Sequence, residues 1–373
     1  LKPSLSASSS EKPDDFMVFC SYSSMVVSLV VMLMMGESAI EIIKIARANE
    51  TTLRAMWFLH GRWSIIFSYN QNMGPRAHDE VKATLCLAPK PKGYDPWQVA
   101  VDMDLLNGDY PFAATALQGK HAFVCGASKG IGEATAKMLA KAGADITVCA
   151  RNGDALTALC ETLGDLGSGR HQALMLDLED TDVLASAFAS AAETLGPVHI
   201  LINNAGGPPG GPLLDNEVTD FDAPFRRHLH AAHTLVKAAV PGMEAEGFGR
   251  IIQIISTSVK EPIPNIGLSN TLRGAMASWA KSMSNELAPC ITINNVLPGF
   301  TDTERLGSLS ASIQERTGKS AEAVREGWLN QVPIGRLIDP LETASAIAYL
   351  CLPAAGGIRG ISLAVDGGRL RSI

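Results

Sequence analysis

The sequence lacks an excess of positive charge and lacks any paired-cysteine motif. Its 31 Lys and Arg against 38 Asp and Glu leave a formal net charge of −7, which argues against nucleic acid as a partner, because basic side chains bind the phosphate backbone. None of the seven cysteines forms a CxxC pair. This odd, scattered set indicates neither a disulfide framework nor a zinc site. We therefore expect reduced thiols, no bound metal and a cytoplasmic protein.

Charged residues are absent from one stretch, 16–35, which is just long enough to span a bilayer. Its four serines weaken the interpretation as a membrane anchor. A non-native or disordered extension is the alternative, whereas a signal peptide is less favoured because no small-residue cleavage site follows cleanly. Membrane contact is expected only through this stretch.

The length of 373 residues, with 46% apolar and 18% charged residues, exceeds that of a usual single domain and suffices for a sizeable core. Residues 1–115 differ in character from the rest and contain a Pro- and Lys-rich patch at 89–96. We predict an N-terminal extension over 1–115, with a linker over 89–115. A domain over 116–373 follows it.

The most informative stretch is HAFVCGASKGIG, residues 121–132. A short apolar run stops at Gly126, and a helical pattern follows Gly130 and Gly132, so the order is strand, glycine turn and helix. Glycines let the chain turn sharply and let the backbone approach a pyrophosphate at the start of the helix. The spacing alone is a weak signal, because such turns also occur for structural reasons.

From Leu117 onward, strand and helix patterns alternate. This alternation predicts a mostly parallel, doubly wound sheet with helices on both faces, an α/β fold whose ligands bind beyond the carboxyl ends of the strands. The longest helices are expected over about 218–246 and 266–288. The predicted strands are 121–125, 145–150, 171–176, 198–203, 250–255, 291–296 and 361–365.

Basic residues follow two of these strands. Arg151 ends the second strand, where an arginine suits the 2′-phosphate of NADP, and Lys129 lies in the glycine turn. Their convergence favours NADP(H), although either one could be an ordinary solvated charge. Asp177 and Leu178 follow the third strand, at the adenine side; Asp177 could equally cap a helix beginning near Thr181.

These motifs together resemble the short-chain dehydrogenase/reductase family, nearest to its 3-oxoacyl-(acyl carrier protein) reductase branch, over about residues 117–370. The motifs are GASKGIG at 126–132, NNAG at 203–206, GRIIQIIS at 249–256, NNVLPGFTDT at 294–303 and VDGG at 365–368. The resemblance implies a Rossmann-type domain that binds NADP(H), and dimers or tetramers.

The resemblance also implies the residues that bind the cofactor. The glycine turn would hold the pyrophosphate, and the loop after the fourth predicted strand would flank the adenosine ribose. The loop after the sixth predicted strand would contact the nicotinamide carboxamide. The turn residues are Gly126, Ser128, Gly130, Ile131 and Gly132; the others are Asn204, Ala205, Gly206, Pro298, Gly299, Thr301 and Thr303.

The catalytic residues depart from the family. Ser256 matches the family serine, but Ser269 stands where the tyrosine belongs, Arg273 replaces the lysine and His228 falls at the asparagine position. No other phenol is available, because four of the five tyrosines precede the domain and Tyr349 lies in a late helix. A serine hydroxyl cannot act as the tyrosine does, whereas Arg273 supplies positive charge without exchanging a proton.

The missing proton could come from one of two residues or from water. His228 has a side chain suited to general acid work, and Lys260 lies in the loop bordering the substrate pocket. A structural role is nevertheless the better interpretation of His228, and an ordinary exposed charge is the better interpretation of Lys260. We expect an NADP(H)-dependent oxidoreductase of a carbonyl, alcohol or acyl thioester, covered by a helical lid over 304–333. The alternative is a catalytically impaired NADP-binding sensor or scaffold.

Overall fold

The computed structural model describes residues 112–372 and, ahead of them, five short strands. These strands form an antiparallel sheet in the order β1-β5-β4-β3-β2. The chain divides into two compact units between Asp102 and Met103. The five strands are β1 (Met17–Cys20), β2 (Glu41–Ala48), β3 (Thr52–Leu59), β4 (Trp63–Asn70) and β5 (Val81–Thr84).

Most of the candidate anchor lies outside the described residues. Within 16–35 only Met17–Cys20 is described, as strand β1, and the linker predicted over 89–115 is described only from residue 112. Of the helices that the structure describes, none combines the length and the apolar character needed to cross a bilayer.

The second unit is built on a seven-stranded sheet in the order β12-β11-β10-β9-β6-β7-β8. Every neighbouring pair is parallel, so the predicted Rossmann-type sheet is confirmed. The seven strands match the predicted ones to within two residues at each end. They are β6 (His121–Cys125), β7 (Asp145–Ala150), β8 (His171–Met175), β9 (Val198–Asn203), β10 (Gly249–Ile254), β11 (Ile291–Pro298) and β12 (Ser362–Val365).

Helices cover both faces of this sheet. The helix predicted over 218–246 is broken, because a 3-10 turn (Val218–Phe221) and a π turn (Arg226–His230) interrupt it. The other 3-10 turns are Leu213–Asp215, Thr257–Val259 and Pro353–Ala355. The helices are α1 (Gly130–Lys141), α2 (Gly153–Leu166), α3 (Thr181–Leu195), α4 (Asp222–Phe225), α5 (Ala231–Ala245), α6 (Gly267–Glu286), α7 (Glu304–Thr317), α8 (Ala321–Leu329) and α9 (Pro340–Cys351).

The core lies on both sides of the central strands. Every residue of β6, β9, β10 and β11 is buried, as expected for parallel strands covered on two faces. Neighbours along a strand point to opposite faces, so Val124 and Ile202 belong to one apolar cluster and Phe123 and Leu201 to the other. The thiols of Cys125, Cys149, Cys160, Cys290 and Cys351 are free.

The strand order reverses between β6 and β9. The chain runs from β6 outward to β7 and β8, then returns to β9 on the other side. Such a switch point opens a crevice beyond the carboxyl ends of the two strands, where doubly wound folds bind their ligands. The glycine turn after β6 and the NNAG loop after β9 both lie at this crevice.

Candidate cofactor and active site

The glycine turn has the geometry of a phosphate cradle. Gly126 has a φ of +59°, and a Cβ at Gly132 would lie 2.2 Å from the carbonyl oxygen of Gly126, so no side chain fits there. Helix α1 begins directly after Lys129, and no side chain caps its start. Its first backbone N–H groups are therefore free to bind an anion. A pyrophosphate fits these residues.

The two loops expected to bind the rest of the cofactor touch this turn. Asn204 donates from Nδ2 to the carbonyl oxygen of Gly126 at 3.2 Å. The Cγ2 atom of Thr303 lies 3.2 Å from the position that a Cβ at Gly130 would occupy. Ser128 and Ile131 are half-buried, and Ile131 packs on the core beneath the turn. Residues separated along the chain thus meet at the glycine turn.

The loop after β11 is tightly held. A Cβ at Gly299 would lie 2.7 Å from Cα of Asp366, which explains the glycine after Pro298. Thr301 is buried and donates from its hydroxyl to the carbonyl of Gly299 at 3.3 Å. Thr303 donates in turn to the carbonyl of Thr301 at 3.4 Å. The predicted carboxamide-binding residues therefore form a rigid loop beside the cleft.

Arg151 lies beside an open cleft of about 660 Å³ at the carboxyl ends of β7 and β8, together with Asn152, Gly153, Asp154 and Met175. Its Nη1 atom lies 3.9 Å from Oδ2 of Asp177. Asp177 does not cap the next helix, whose N-cap is Asp180; its Oδ1 instead accepts a hydrogen bond from the amide of Glu179 at 3.0 Å. Leu178 packs on the core.

Lys129 has a different partner from the one that its sequence position suggests. Its Nζ lies 2.5 Å from Oε2 of Glu304, at the start of α7. It therefore connects the glycine turn to the lid, whereas Arg151 pairs with Asp177. The two basic residues predicted to converge on a 2′-phosphate have separate anionic partners, and of the two only Arg151 lines the open cleft beside β7 and β8.

Ser256 lies two residues after the end of β10 and is the N-cap of the 3-10 turn Thr257–Val259. Its Oγ accepts a hydrogen bond from the amide of Ser258 at 3.1 Å. Ser269 and Arg273 are one helical turn apart on α6 and face the loop after β9: the position of a Cβ at Gly207 is 3.8 Å from Ser269 Oγ and 3.5 Å from Arg273 Nη2. The two residues that stand in place of the family's tyrosine and lysine thus face the same loop.

Arg273 is 8% exposed and donates two hydrogen bonds. Nη1 donates to the carbonyl of Ile254 at 3.0 Å, and Nη2 donates to the carbonyl of Ala205 at 3.4 Å. Burial, with the nearby charge of Arg305 as a second cause, lowers the pKa of Arg273 to about 10. The guanidinium therefore remains charged at neutral pH.

His228 lies in the π turn and is 5% exposed. Its Nε2 lies 3.0 Å from the carbonyl oxygen of Gly206; since a carbonyl only accepts, Nε2 carries the proton. Burial, reinforced by the charge of Arg273, lowers the pKa of His228 well below 6.5. The ring is neutral at pH 7, which makes it a poor general acid.

Lys260 and the lid complete the surroundings. Lys260 is exposed, and its side chain has no hydrogen-bonding or ion-pairing partner within residues 112–372, so its catalytic role stays a prediction. The predicted lid is formed by α7 and α8. It has its own apolar cluster, in which the rings of Phe300 and Trp328 stack at 5.6 Å.

Arg305, on α7, is a site residue that the sequence analysis did not predict. In the structure its Nη2 donates to the carbonyl of Pro208 at 2.5 Å. Its position directly after TDTE, the end of a cofactor motif, was the one available signal. Arg305, Arg273, His228 and Asn204 together hold the loop after β9.

The fold and this site define a doubly wound, dinucleotide-binding oxidoreductase. A family model described as enoyl-(acyl carrier protein) reductase matches residues 126–369. The chain belongs to the short-chain dehydrogenase/reductase family, as its motifs indicated.

Its relatives include named reductases. The 3-oxoacyl-[acyl-carrier-protein] reductase FabG of Vibrio cholerae is 34% identical, over 68% of this chain and 98% of that protein. The NADPH-dependent reductase BacG of Bacillus subtilis is 31% identical, again over 68% and 98%. The structure of L-sorbose reductase from Gluconobacter frateurii, complexed with NADPH and L-sorbose, is 26% identical with a TM-score of 0.66, covering 70% of this chain and all of that one.

Proposed function

We propose that this protein is an NADP(H)-dependent oxidoreductase that reduces a carbonyl or oxidises an alcohol. The observation that carries the proposal is the cradle at 126–132, where a side chain at Gly132 would collide with the turn and where no side chain caps the start of α1. The reductase names of the relatives support it. The domain over 116–373 is the part to which we assign this activity.

The cofactor is expected to bind along the cleft already described. The amides of the glycine turn would hold the pyrophosphate, Arg151 would meet the 2′-phosphate as a charge-assisted donor, and the loop 298–303 would meet the carboxamide. When bound, NADPH supplies the hydride of the reaction. Asn204 keeps the glycine turn in place through its hydrogen bond to Gly126.

The substrate oxygen would lie near Ser256, Ser269 and Arg273. The two hydroxyls can donate to it, and the buried guanidinium stabilises the negative charge that develops on it. This charge is fixed before the reaction begins, because hydrogen bonds to Ile254 and Ala205 hold the side chain. Lys260 or water then supplies the proton, and His228 acts as a positioning residue for the loop after β9.

A catalytically impaired sensor or scaffold is the second candidate. One observation favours it: the only tyrosine within residues 112–372 is Tyr349, on α9 and exposed, so the part of the chain that the structure describes supplies no phenol to the site. The retained Ser256 favours an enzyme, because a protein that needed only the cofactor would have no chemical reason to keep it. We further propose dimers or tetramers, which light scattering would test.

Single-turnover oxidation of NADPH by the full-length chain, alongside NADPH binding followed by fluorescence, tests the proposal. The substrates are a panel of 3-oxoacyl thioesters, aldehydes and ketones. Turnover that disappears in Ser256→Ala, with NADPH binding retained, is the expected result. Tight NADPH binding without turnover across the panel would favour the sensor, and no binding would exclude both functions.

A further inference from the structure

Three donors meet beside Gly207, in the loop after β9. The point at which a Cβ of Gly207 would lie is 3.5 Å from Nη2 of Arg273, 3.6 Å from Nη2 of Arg305 and 3.8 Å from Oγ of Ser269. The three side chains come from two elements, α6 and α7, that are far apart in sequence. Because residue 207 is a glycine, its own side chain does not fill the space between them.

Neither guanidinium has an acidic partner among residues 112–372. Arg273 and Arg305 donate only to the backbone carbonyls of Ile254, Ala205 and Pro208, and within residues 112–372 no carboxylate forms an ion pair with either. Other basic residues around the cleft do have one: Lys129 pairs with Glu304, Arg151 with Asp177 and Arg227 with Glu179. Arg273 and Arg305 are therefore two neighbouring cations that lack an acidic partner among residues 112–372.

Two neighbouring cations repel each other, and the repulsion grows when water is displaced from around them. Arg273 is 8% exposed, so its charge is poorly solvated. An anion bound between the two guanidinium groups relieves this repulsion. A carboxylate suits the geometry, because guanidinium groups bind planar carboxylates through paired N–H donors, and Ser269 adds a third donor.

We propose that the substrate is an oxo acid or hydroxy acid, whose carboxylate binds between Arg305 and Arg273 beside Gly207. Arg305 is the residue that selects for this carboxylate, and Arg273 is shared between the carboxylate and the reacting oxygen. The inference rests on the oxidoreductase function proposed above and narrows its substrate class.

Oxamate and oxamide provide the test, because they have nearly the same shape and differ in charge. Calorimetric titration of the full-length protein without cofactor is expected to show oxamate binding at least tenfold more tightly than oxamide. Arg305→Gln should weaken oxamate binding by about tenfold, as for loss of one charge-assisted contact, and leave oxamide binding unchanged. Arg305→Lys should restore part of the affinity. Arg316→Gln, an exposed position on the same helix, is the control and should have no effect.

Several results would overturn the carboxylate subsite. Equal binding of oxamate and oxamide would do so, and so would inorganic phosphate binding more tightly than oxamate. A third is Arg305→Gln weakening NADPH binding while leaving oxamate binding unchanged, which would assign this arginine to the cofactor.

The two proposals can fail separately. If NADPH is not bound but oxamate binds in an Arg305-dependent manner, the anion site stands and the oxidoreductase function fails. If NADPH is oxidised with uncharged ketones at the same kcat/KM as with oxo acids, the oxidoreductase function stands and the carboxylate subsite fails.

Discussion

His228 and Arg273 donate hydrogen bonds to consecutive carbonyl oxygens, those of Gly206 and Ala205. These two residues stand where the resemblance places the asparagine and lysine of the family's active site. Both are buried, and both hold the loop that follows β9. The departures from the family pattern are therefore linked in space, and their first effect is to fix the backbone on one side of the cleft.

Replacing Arg273 with methionine should destabilise the fold. The substitution keeps much of the apolar volume but removes the donors to the buried carbonyl of Ile254 and the partly buried carbonyl of Ala205, and an unsatisfied buried acceptor costs about 1–3 kcal/mol. Urea unfolding should show this loss. Arg325→Met, on the exposed side of α8, should change the free energy of unfolding by less than about 0.5 kcal/mol. Equal stabilities for the two variants would contradict the assigned hydrogen bonds.

The stability of the protein should fall below pH 6.5, partly because of His228. Its pKa is depressed in the folded state, so below about pH 6.5 the unfolded chain takes up a proton that the folded chain does not. The free energy of unfolding then decreases as the pH falls, by up to about 1.4 kcal/mol per pH unit for each such group. Burial also lowers the pKa values of His121, His171 and His199.

His228→Asn isolates one of these contributions, because asparagine can still donate to Gly206 but does not titrate. Between pH 6.5 and 5.5 the variant should lose about 1 kcal/mol less stability than the wild type. The control is His230→Asn, an exposed position two residues away, which should leave the pH dependence unchanged. Identical pH profiles for all three proteins would show that His228 is not buried in its neutral form.

Gly132→Ala should abolish NADPH binding and destabilise the domain. The added Cβ would lie 2.2 Å from the carbonyl oxygen of Gly126, so the turn must move, at a cost of about 1–3 kcal/mol. Gly164→Ala is the matched control, because nothing lies within 4 Å of the new Cβ. Gly164 lies in the last turn of helix α2, where that change should stabilise by at most about 0.5–1 kcal/mol. Unchanged NADPH affinity in Gly132→Ala would show that the glycine turn is not part of the cofactor site.

The sequence predicted the sheet well, because its central strands are buried on both faces and therefore form continuous apolar runs between glycines and helical patterns. The expected strand 250–255 is Gly249–Ile254, a shift of one residue. The predicted helix 218–246 contains a π turn, because apolar spacing does not reveal which carbonyl each amide bonds. The cofactor loops could be placed because their glycines mark close backbone approaches.

The details of the catalytic region could not be predicted, since they depend on contacts between distant segments. The sequence places Arg305 beside a cofactor motif but does not reveal that its side chain reaches the carbonyl of Pro208. It also does not reveal that Lys129 pairs with Glu304 rather than acting beside Arg151. The neutral state of His228 likewise follows from burial under other elements. Motifs identify which loops form the site, whereas long-range packing decides what each side chain does there.

Arg151→Gln should change the preference between the two nicotinamide cofactors. The guanidinium lies at an open cleft where it can meet a 2′-phosphate, and losing one exposed charge-assisted contact should weaken NADPH binding by about three- to tenfold. NADH lacks the 2′-phosphate, so the affinity of the protein for NADH should stay the same in Arg151→Gln. It should at most rise slightly, because Asp177 loses its cationic neighbour. Fluorescence titration with both cofactors measures the ratio of the two affinities.

The control is Lys141→Gln, an exposed position in the last turn of α1, which should alter neither affinity. If Arg151→Gln weakens NADPH and NADH binding equally, Arg151 supports the adenosine in general, and the preference for NADP(H) must come from another residue.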